Sequence, residues 1–402
     1  MFVRLAGVVD PVVAPPERPA AAPSAPRATG DGAAGDAAAG TGPVPVRLRW
    51  RSADDDGGQP ALFADEELVE RHVGVGEYWG LEFLHVNARR IVNEVPAASR
   101  MPFRYTINAY RGCSHACAYC FARPTHEYLG LGMGQDFERK LVVKVNAVER
   151  VRAELRAPSW RGDPIAMGTN TDPYQRAEGR YHLTQGIVRA LGEARNPFSI
   201  LTKSTLVLRD LDLLVEAAKR TEVHCNLSIG TLDEDVWKTT EPGTPHPRRR
   251  VEAVRRLNDA GIPTGVLVAP IIPGWSDGAD QLEDIAAACL DAGAVSITPI
   301  ALHLRRGVKE HFLEFLAARR PELHAELSRR YTRSAYLPRV AQQAIEDRVY
   351  AVSGRERRRA DPADRVGHLA APAARPATAA GDGPPPAVPQ QLPLFAPHPG
   401  DA

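Results

Sequence analysis

Three of the five cysteines in this chain sit close together, as Cys113, Cys117 and Cys120 within the stretch YTINAYRGCSHACAYCFARPTHE at residues 105–127. Thiolates are metal ligands, and a short irregular loop lets each sulfur turn inward on one centre. What such a set would hold follows from counting donors. Structural zinc takes four ligands, usually as two separated pairs, and no second Cys pair or Cys/His pair is in evidence. Cubane iron–sulfur clusters are also held by thiolates, and a Cys-x3-Cys-x2-Cys set would leave one iron without a protein ligand. A structural zinc loop, or three reduced cysteines in a core, are the plainer readings of the same residues.

A loop of this kind needs a strand to carry it. Residues 104–110 alternate β-branched or aromatic residues with small and polar ones, and Gly112 then breaks the pattern, so the cysteines fall at a strand end. Downstream, strand-like stretches at 164–168, 198–202, 223–229, 264–269 and 294–300 alternate with helical patterns at 147–155, 184–195, 210–219, 249–260 and 280–292. With the cysteine strand, these six βα-type repeats predict an α/β fold of parallel strands with right-handed crossovers. Six repeats rather than eight predict an open, partial barrel. Sites in parallel barrels lie at the C-terminal ends of the strands. Asn170 and Asp172 stand there after strand two, Lys203 after strand three, Asn226 and Ser228 on strand four, and His303, Arg305 and Arg306 after strand six. A lysine so placed can hold a carboxylate or phosphate as a point charge. The polar run before Pro173 is also what an ordinary turn looks like.

The cysteine spacing, with aromatic Tyr119 just before the last thiol, resembles the radical S-adenosylmethionine (SAM) superfamily. The stretches YRGCSHACAYCFARPTHEYLG and GTNTDPYQRAEGRY resemble its Rv2578c-like branch, related to spore photoproduct lyase, and the likeness covers most of residues 95–345. The resemblance implies a partial (β/α)6 barrel over roughly residues 100–320. It also implies two cofactors, a [4Fe–4S] cluster on Cys113, Cys117 and Cys120, and S-adenosyl-L-methionine chelated to the open iron. In that family an electron from the cluster cleaves SAM to a 5′-deoxyadenosyl radical, which takes hydrogen from a substrate. Carried over position by position, the likeness assigns cofactor binding to Tyr119, Asn170, Asp172, Lys203, Ser228 and Arg250. The segment of Asn170 and Asp172 would meet the SAM amino group, Ser228 the ribose and Arg250 the carboxylate. The lyase uses a further cysteine as hydrogen donor. Cys225, expected near the barrel interior, is the candidate here, whereas Cys289 reads as core filler.

The 402 residues allow one large domain with tails, or two domains. Residues 1–45 and 361–402 are rich in Ala, Pro and Gly and are predicted to be disordered. Residues 46–99 read as an extension packing on the core and 321–360 as C-terminal helices. A net charge of +1 supplies no global field for nucleic acid. Five cysteines, three of them grouped, do not make a disulfide framework. With no apolar run long enough for a bilayer and no leader pattern, the expectation is a cytoplasmic protein with a reducing electron donor and no membrane contact. The tail holds one unusual string, Gln391, Leu392, Pro393, Leu394 and Phe395. It resembles the peptide by which bacterial replication and repair proteins bind the sliding DNA clamp, and docking would raise the local concentration at DNA. Three function classes follow: a radical enzyme acting on damaged or modified DNA, one acting on a peptide, RNA or small metabolite, and a non-catalytic metal-binding module with a docking tail. Cleavage of SAM separates the last from the others.

Overall fold

The strand pattern read from the sequence is realised as one long, singly wound sheet in the computed structural model, which describes residues 69–96, 99 and 101–353. Before the cysteine loop come β1 (Glu70–Val73), β2 (Glu82–Val86), β3 (Val92–Glu94), β4 (Tyr105–Ile107) and the two-residue β5 (Tyr110–Arg111). After it, α1 (Gln135–Arg139), β6 (Lys140–Lys144) and α2 (Ala147–Leu155) lead into the repeating part. That part runs β7 (Ile165–Met167), α3 (Arg176–Tyr181), α4 (Leu183–Glu193), β8 (Phe198–Thr202), α5 (Leu211–Ala218) and β9 (Val223–Ser228). It continues with α6 (Glu234–Thr240), α7 (Pro247–Asp259), β10 (Thr264–Ile271), α8 (Ala279–Asp291) and β11 (Ile297–Ala301). Three helices close the described chain: α9 (Val308–Arg319), α10 (Pro321–Arg330) and α11 (Arg339–Ser353).

The large sheet has the order β11-β10-β9-β8-β7-β4-β3. From β4 to β11 every pairing is parallel, and β3 adds antiparallel to β4 at the edge. Within this sheet each strand pairs with the next one along the chain, so the crossovers turn the same way and the sheet forms the open (β/α)6 barrel expected. Helix starts are marked chemically. Asp233 accepts the Val236 amide at the start of α6, and Pro247 opens α7, where a missing N–H costs nothing.

Period two sorts each strand onto two faces. On β9, Val223, Cys225 and Leu227 alternate with His224, Asn226 and Ser228, and the first set lies in the main apolar core. A second sheet, β1-β2-β6-β5, was not anticipated. Its β5 is too short to display alternation, yet it ends one residue before Gly112 and so fixes the entry to the cysteine loop. Among the described residues no helix is long and apolar enough to cross a membrane.

Candidate active site

The loop is framed before any metal is considered. Gly112 has φ 76°, and a Cβ there would come within 2.8 Å of the Phe137 carbonyl oxygen, so only glycine fits the turn. Buried Gln175, on the turn between β7 and α3, donates from Nε2 to the Gly112 carbonyl at 3.0 Å and accepts the Ser114 amide on Oε1 at 2.9 Å. Thr171 Oγ1 donates to the same carbonyl at 2.7 Å. Arg123, fully buried, donates from Nε and Nη2 to the Cys117 carbonyl at 3.0 and 2.8 Å. On the far side the α6–α7 turn closes down: the Ala118 amide reaches Thr240 O at 2.9 Å and the Gly243 amide reaches His115 O at 3.0 Å. A Cβ on Gly243 would lie 2.2 Å from Ser114 O. The sequence stretch TNTDPYQ therefore holds the cysteine loop on one flank, and residues 240–244 hold it on the other.

Burial pushes all three bare thiols up, Cys117 to about 12, with the Glu241 carboxylate adding to the effect there. Without a metal centre the sulfurs are neutral at pH 7; a metal would bind them as thiolates and release the protons. Three protein sulfurs would leave one position open on a zinc ion, and one iron without a protein ligand on a cubane cluster.

Beside Cys117 lies a buried charge cluster at the C-terminal ends of β8 and β9. Its centre, Glu241, has no sequence signal, being one acidic residue in a turn. Lys203 Nζ lies 2.9 Å from Glu241 Oε1 and donates to Ser228 Oγ at 2.8 Å. Arg250 Nη2 contacts Glu241 Oε2, and the Tyr119 hydroxyl donates to Oε1. Burial alone would raise the Glu241 carboxyl, but Arg250 and Lys203 outweigh it and hold it far below the usual carboxylate range. Two cations against one carboxylate leave a net positive charge on this wall. The structure thus brings Tyr119, Lys203, Ser228 and Arg250 together, as the sequence reading required, around a residue that reading missed.

Other expected contacts are placed differently. Every donor group of Arg250 meets protein: Nε the Pro245 carbonyl, Nη1 the Ser228 carbonyl, Nη2 Glu241 and Thr244. It stands behind Glu241, with its donors turned to protein acceptors. Asp172 is likewise taken up by the protein. Its oxygens accept from the Tyr174 amide, Thr202 Oγ1 and the Lys203 amide at 2.7–2.9 Å, and His115 Nδ1 is 3.4 Å away. Burial raises its carboxyl, and His115 with these donors more than offsets that. Neighbouring Asn170 keeps a buried Oδ1 without a hydrogen-bond partner, as does the side-chain amide of Asn226.

Cys225 does not face the interior of the barrel. Ser228 points at Lys203, and a residue three positions earlier on the same strand must point to the opposite side. Its thiol lies in the apolar layer with Val223 and Leu227, pushed up to about 12 by burial alone.

Past β11 a row of rings leads outward from the cysteines. Phe121, next to Cys120, lies 6.2 Å from the ring of His303, which stacks on Tyr336 at 5.7 Å. Arg305 Nη2 donates to the Tyr336 hydroxyl at 2.9 Å. Tyr336 also lines a cleft of about 470 Å³ with Arg329, Arg330 and Arg333.

The chain matches the Radical SAM superfamily profile over residues 107–288. It is 43% identical over 295 residues to the uncharacterized protein Rv2578c of Mycobacterium tuberculosis, covering 73% of this chain and 86% of that one. It is 28% identical over 189 residues to spore photoproduct lyase of Bacillus subtilis, covering 45% of this chain and 50% of the lyase. A solved structure of a cysteine-to-serine mutant of spore photoproduct lyase superposes with a TM-score of 0.49 at 21% identity, over 67% of this chain and 78% of that one. Family membership implies an enzyme whose cofactors are a [4Fe–4S] cluster and SAM. The barrel, the framed cysteine triplet and the match to Rv2578c agree: this chain belongs to the radical SAM superfamily, in a branch related to spore photoproduct lyase.

Proposed function

We propose that the chain holds a [4Fe–4S] cluster on Cys113, Cys117 and Cys120, binds SAM against Lys203 and Ser228, and starts hydrogen abstraction on a damaged or modified nucleic acid. The observation that carries the cofactor half is the Lys203–Glu241–Arg250 cluster beside Cys117. Its residual positive charge suits an amino-acid carboxylate. When bound, the cluster and SAM supply an electron and a 5′-deoxyadenosyl radical. The chain's own residues do the positioning. Lys203 is the movable cation, able to turn its ammonium from Ser228 and the Ala269 carbonyl toward a carboxylate. That frees the Ser228 hydroxyl for a ribose. The unpartnered Asn170 Oδ1 is an acceptor for an ammonium, and Tyr119 with Arg250 keeps Glu241 in place.

The nucleic-acid half is supported by the ring row and the three arginines at its outer end, since bases stack on aromatic faces and guanidinium groups pair with phosphates. The relative's name, spore photoproduct lyase, points the same way. The test is anaerobic reconstitution followed by electron paramagnetic resonance with and without SAM, reduction, and assay for 5′-deoxyadenosine. A spectrum that SAM does not change would end the cofactor assignment. For the substrate, alanine at Arg329, Arg330 and Arg333 together should weaken binding of a single-stranded oligonucleotide. The slope of log K against log salt should become shallower by about 2. Equal binding and slope would exclude this face.

The peptide Gln391, Leu392, Leu394 and Phe395 lies outside the described residues. Its docking on the sliding clamp is proposed from the sequence string alone. Deletion of residues 391–395 is expected to abolish clamp binding while leaving iron content unchanged; retained binding would dismiss the motif.

A further inference from the structure

Glu70 and His72 stand two residues apart on β1 and so share one face of the strand. The antiparallel register sets Glu70 directly opposite His85 of β2, which brings a third side chain to that face. Nε2 of His72 lies 2.9 Å from Glu70 Oε2, Nδ1 of His85 lies 3.8 Å from the same oxygen, and the three donor atoms all fall within 4.8 Å of one another. The two imidazole centroids are 4.4 Å apart.

We propose that Glu70, His72 and His85 form a second metal site, separate from the cysteine loop, for a divalent transition ion of the zinc class. Two imidazoles and a carboxylate are a donor set that zinc accepts, with three protein ligands and a fourth position left to water. Bonds of ~2.0–2.1 Å in a tetrahedral shell place the donors about 3.3 Å apart. The observed 2.9 and 3.8 Å bracket that value, so small side-chain rotations close the site. His85 is also held at its far nitrogen, Nε2 lying 2.7 Å from the Tyr181 hydroxyl on α3. Tyr181 itself packs edge-on against Phe83. A metal-bound imidazole is typically oriented by such a partner on its other nitrogen. Exposure runs in the order an entry path needs: the Glu70 side chain is 59% exposed, His72 30% and His85 13%. Bound metal would tie β1 to β2 at the edge of the small sheet.

The proposal does not depend on the radical chemistry, and its test keeps the two apart. Cluster-loaded full chain, whose cysteines are already occupied, is incubated with zinc under anaerobic conditions and freed of excess. Zinc and iron are then counted, and the zinc K-edge absorption is recorded. The expected result is a single zinc per chain, with nitrogen and oxygen neighbours at ~2.0–2.1 Å, imidazole outer shells and no sulfur. His72→Ala and Glu70→Gln should weaken zinc binding at least about 100-fold, and Tyr181→Phe by about 10–100-fold, with iron content and far-ultraviolet circular dichroism unchanged. A sulfur shell near ~2.3 Å, or zinc content untouched in both His72→Ala and His85→Asn, would overturn the site.

Discussion

Cys117→Ala is expected to give a folded protein that cleaves no SAM above the uncatalysed background. The backbone at this position is held through its carbonyl, by two donors of Arg123, and through the Ala118 amide, which reaches Thr240; none of these contacts uses the sulfur. Losing one buried thiol costs the fold little, of the order of ~1 kcal/mol, while a three-ligand centre becomes a two-ligand one. Circular dichroism should be near that of the parent, with the cubane signal and 5′-deoxyadenosine both gone. Retained SAM cleavage in this variant would remove the cysteine loop from the chemistry.

The second large effect is expected on stability, at Glu241→Gln. This substitution keeps the shape and deletes the charge, leaving fully buried Arg250 and partly buried Lys203 against a neutral amide. Breaking a buried pair from one side typically costs about 3–5 kcal/mol, because the remaining charge is left uncompensated. Denaturant unfolding should register a loss in that range, and adding Lys203→Met should recover part of it. The pH dependence has a definite sign. The folded-state carboxyl is held far below its ordinary value, so its stabilisation is complete above the usual carboxylate range and is lost as pH falls toward the folded-state value. The parent should therefore lose its advantage over Glu241→Gln on acidification below about 4.5. A gap that instead widens from pH 7 down to about 4.5 and then stays flat would mean the carboxyl is protonated in the fold at neutral pH.

Much of this was legible in the residues themselves. Strands such as Phe198–Thr202 and Val223–Ser228 are apolar runs between turn signals, and the helices between them carry a clear 3.6 period, so the βα alternation could be counted. Lys203 and Ser228 were singled out because strand ends in a parallel sheet are where sites form, and the structure sets the two side by side. Glu241 was not, because one acidic residue before Pro242-Gly243 looks like any turn until two cations from other elements arrive beside it. Arg250 and Asp172 lie at the expected end of the barrel with their polar groups engaged by protein, which sequence position does not reveal. Cys225 is different. Its parity against Ser228 was readable from the strand, and it excluded a shared face without any coordinates. The small sheet was missed because pairing between Tyr110–Arg111 and Lys140–Lys144 crosses the whole cysteine loop.

The frame around the cysteine loop has a consequence for life in air. Gln175, Thr171, Arg123 and Gly243 hold the loop through backbone contacts that no iron atom takes part in. A cluster stripped by oxygen would leave behind a polypeptide whose receptacle keeps its shape. Resupplying iron and sulfide to the standing fold is then the expected route to recovery, without unfolding or new synthesis. Oxidative damage becomes a matter of repair rather than turnover, and recovery of the cubane signal after one cycle of oxygen exposure and reconstitution, with no denaturation step, is the observation that would bear this out.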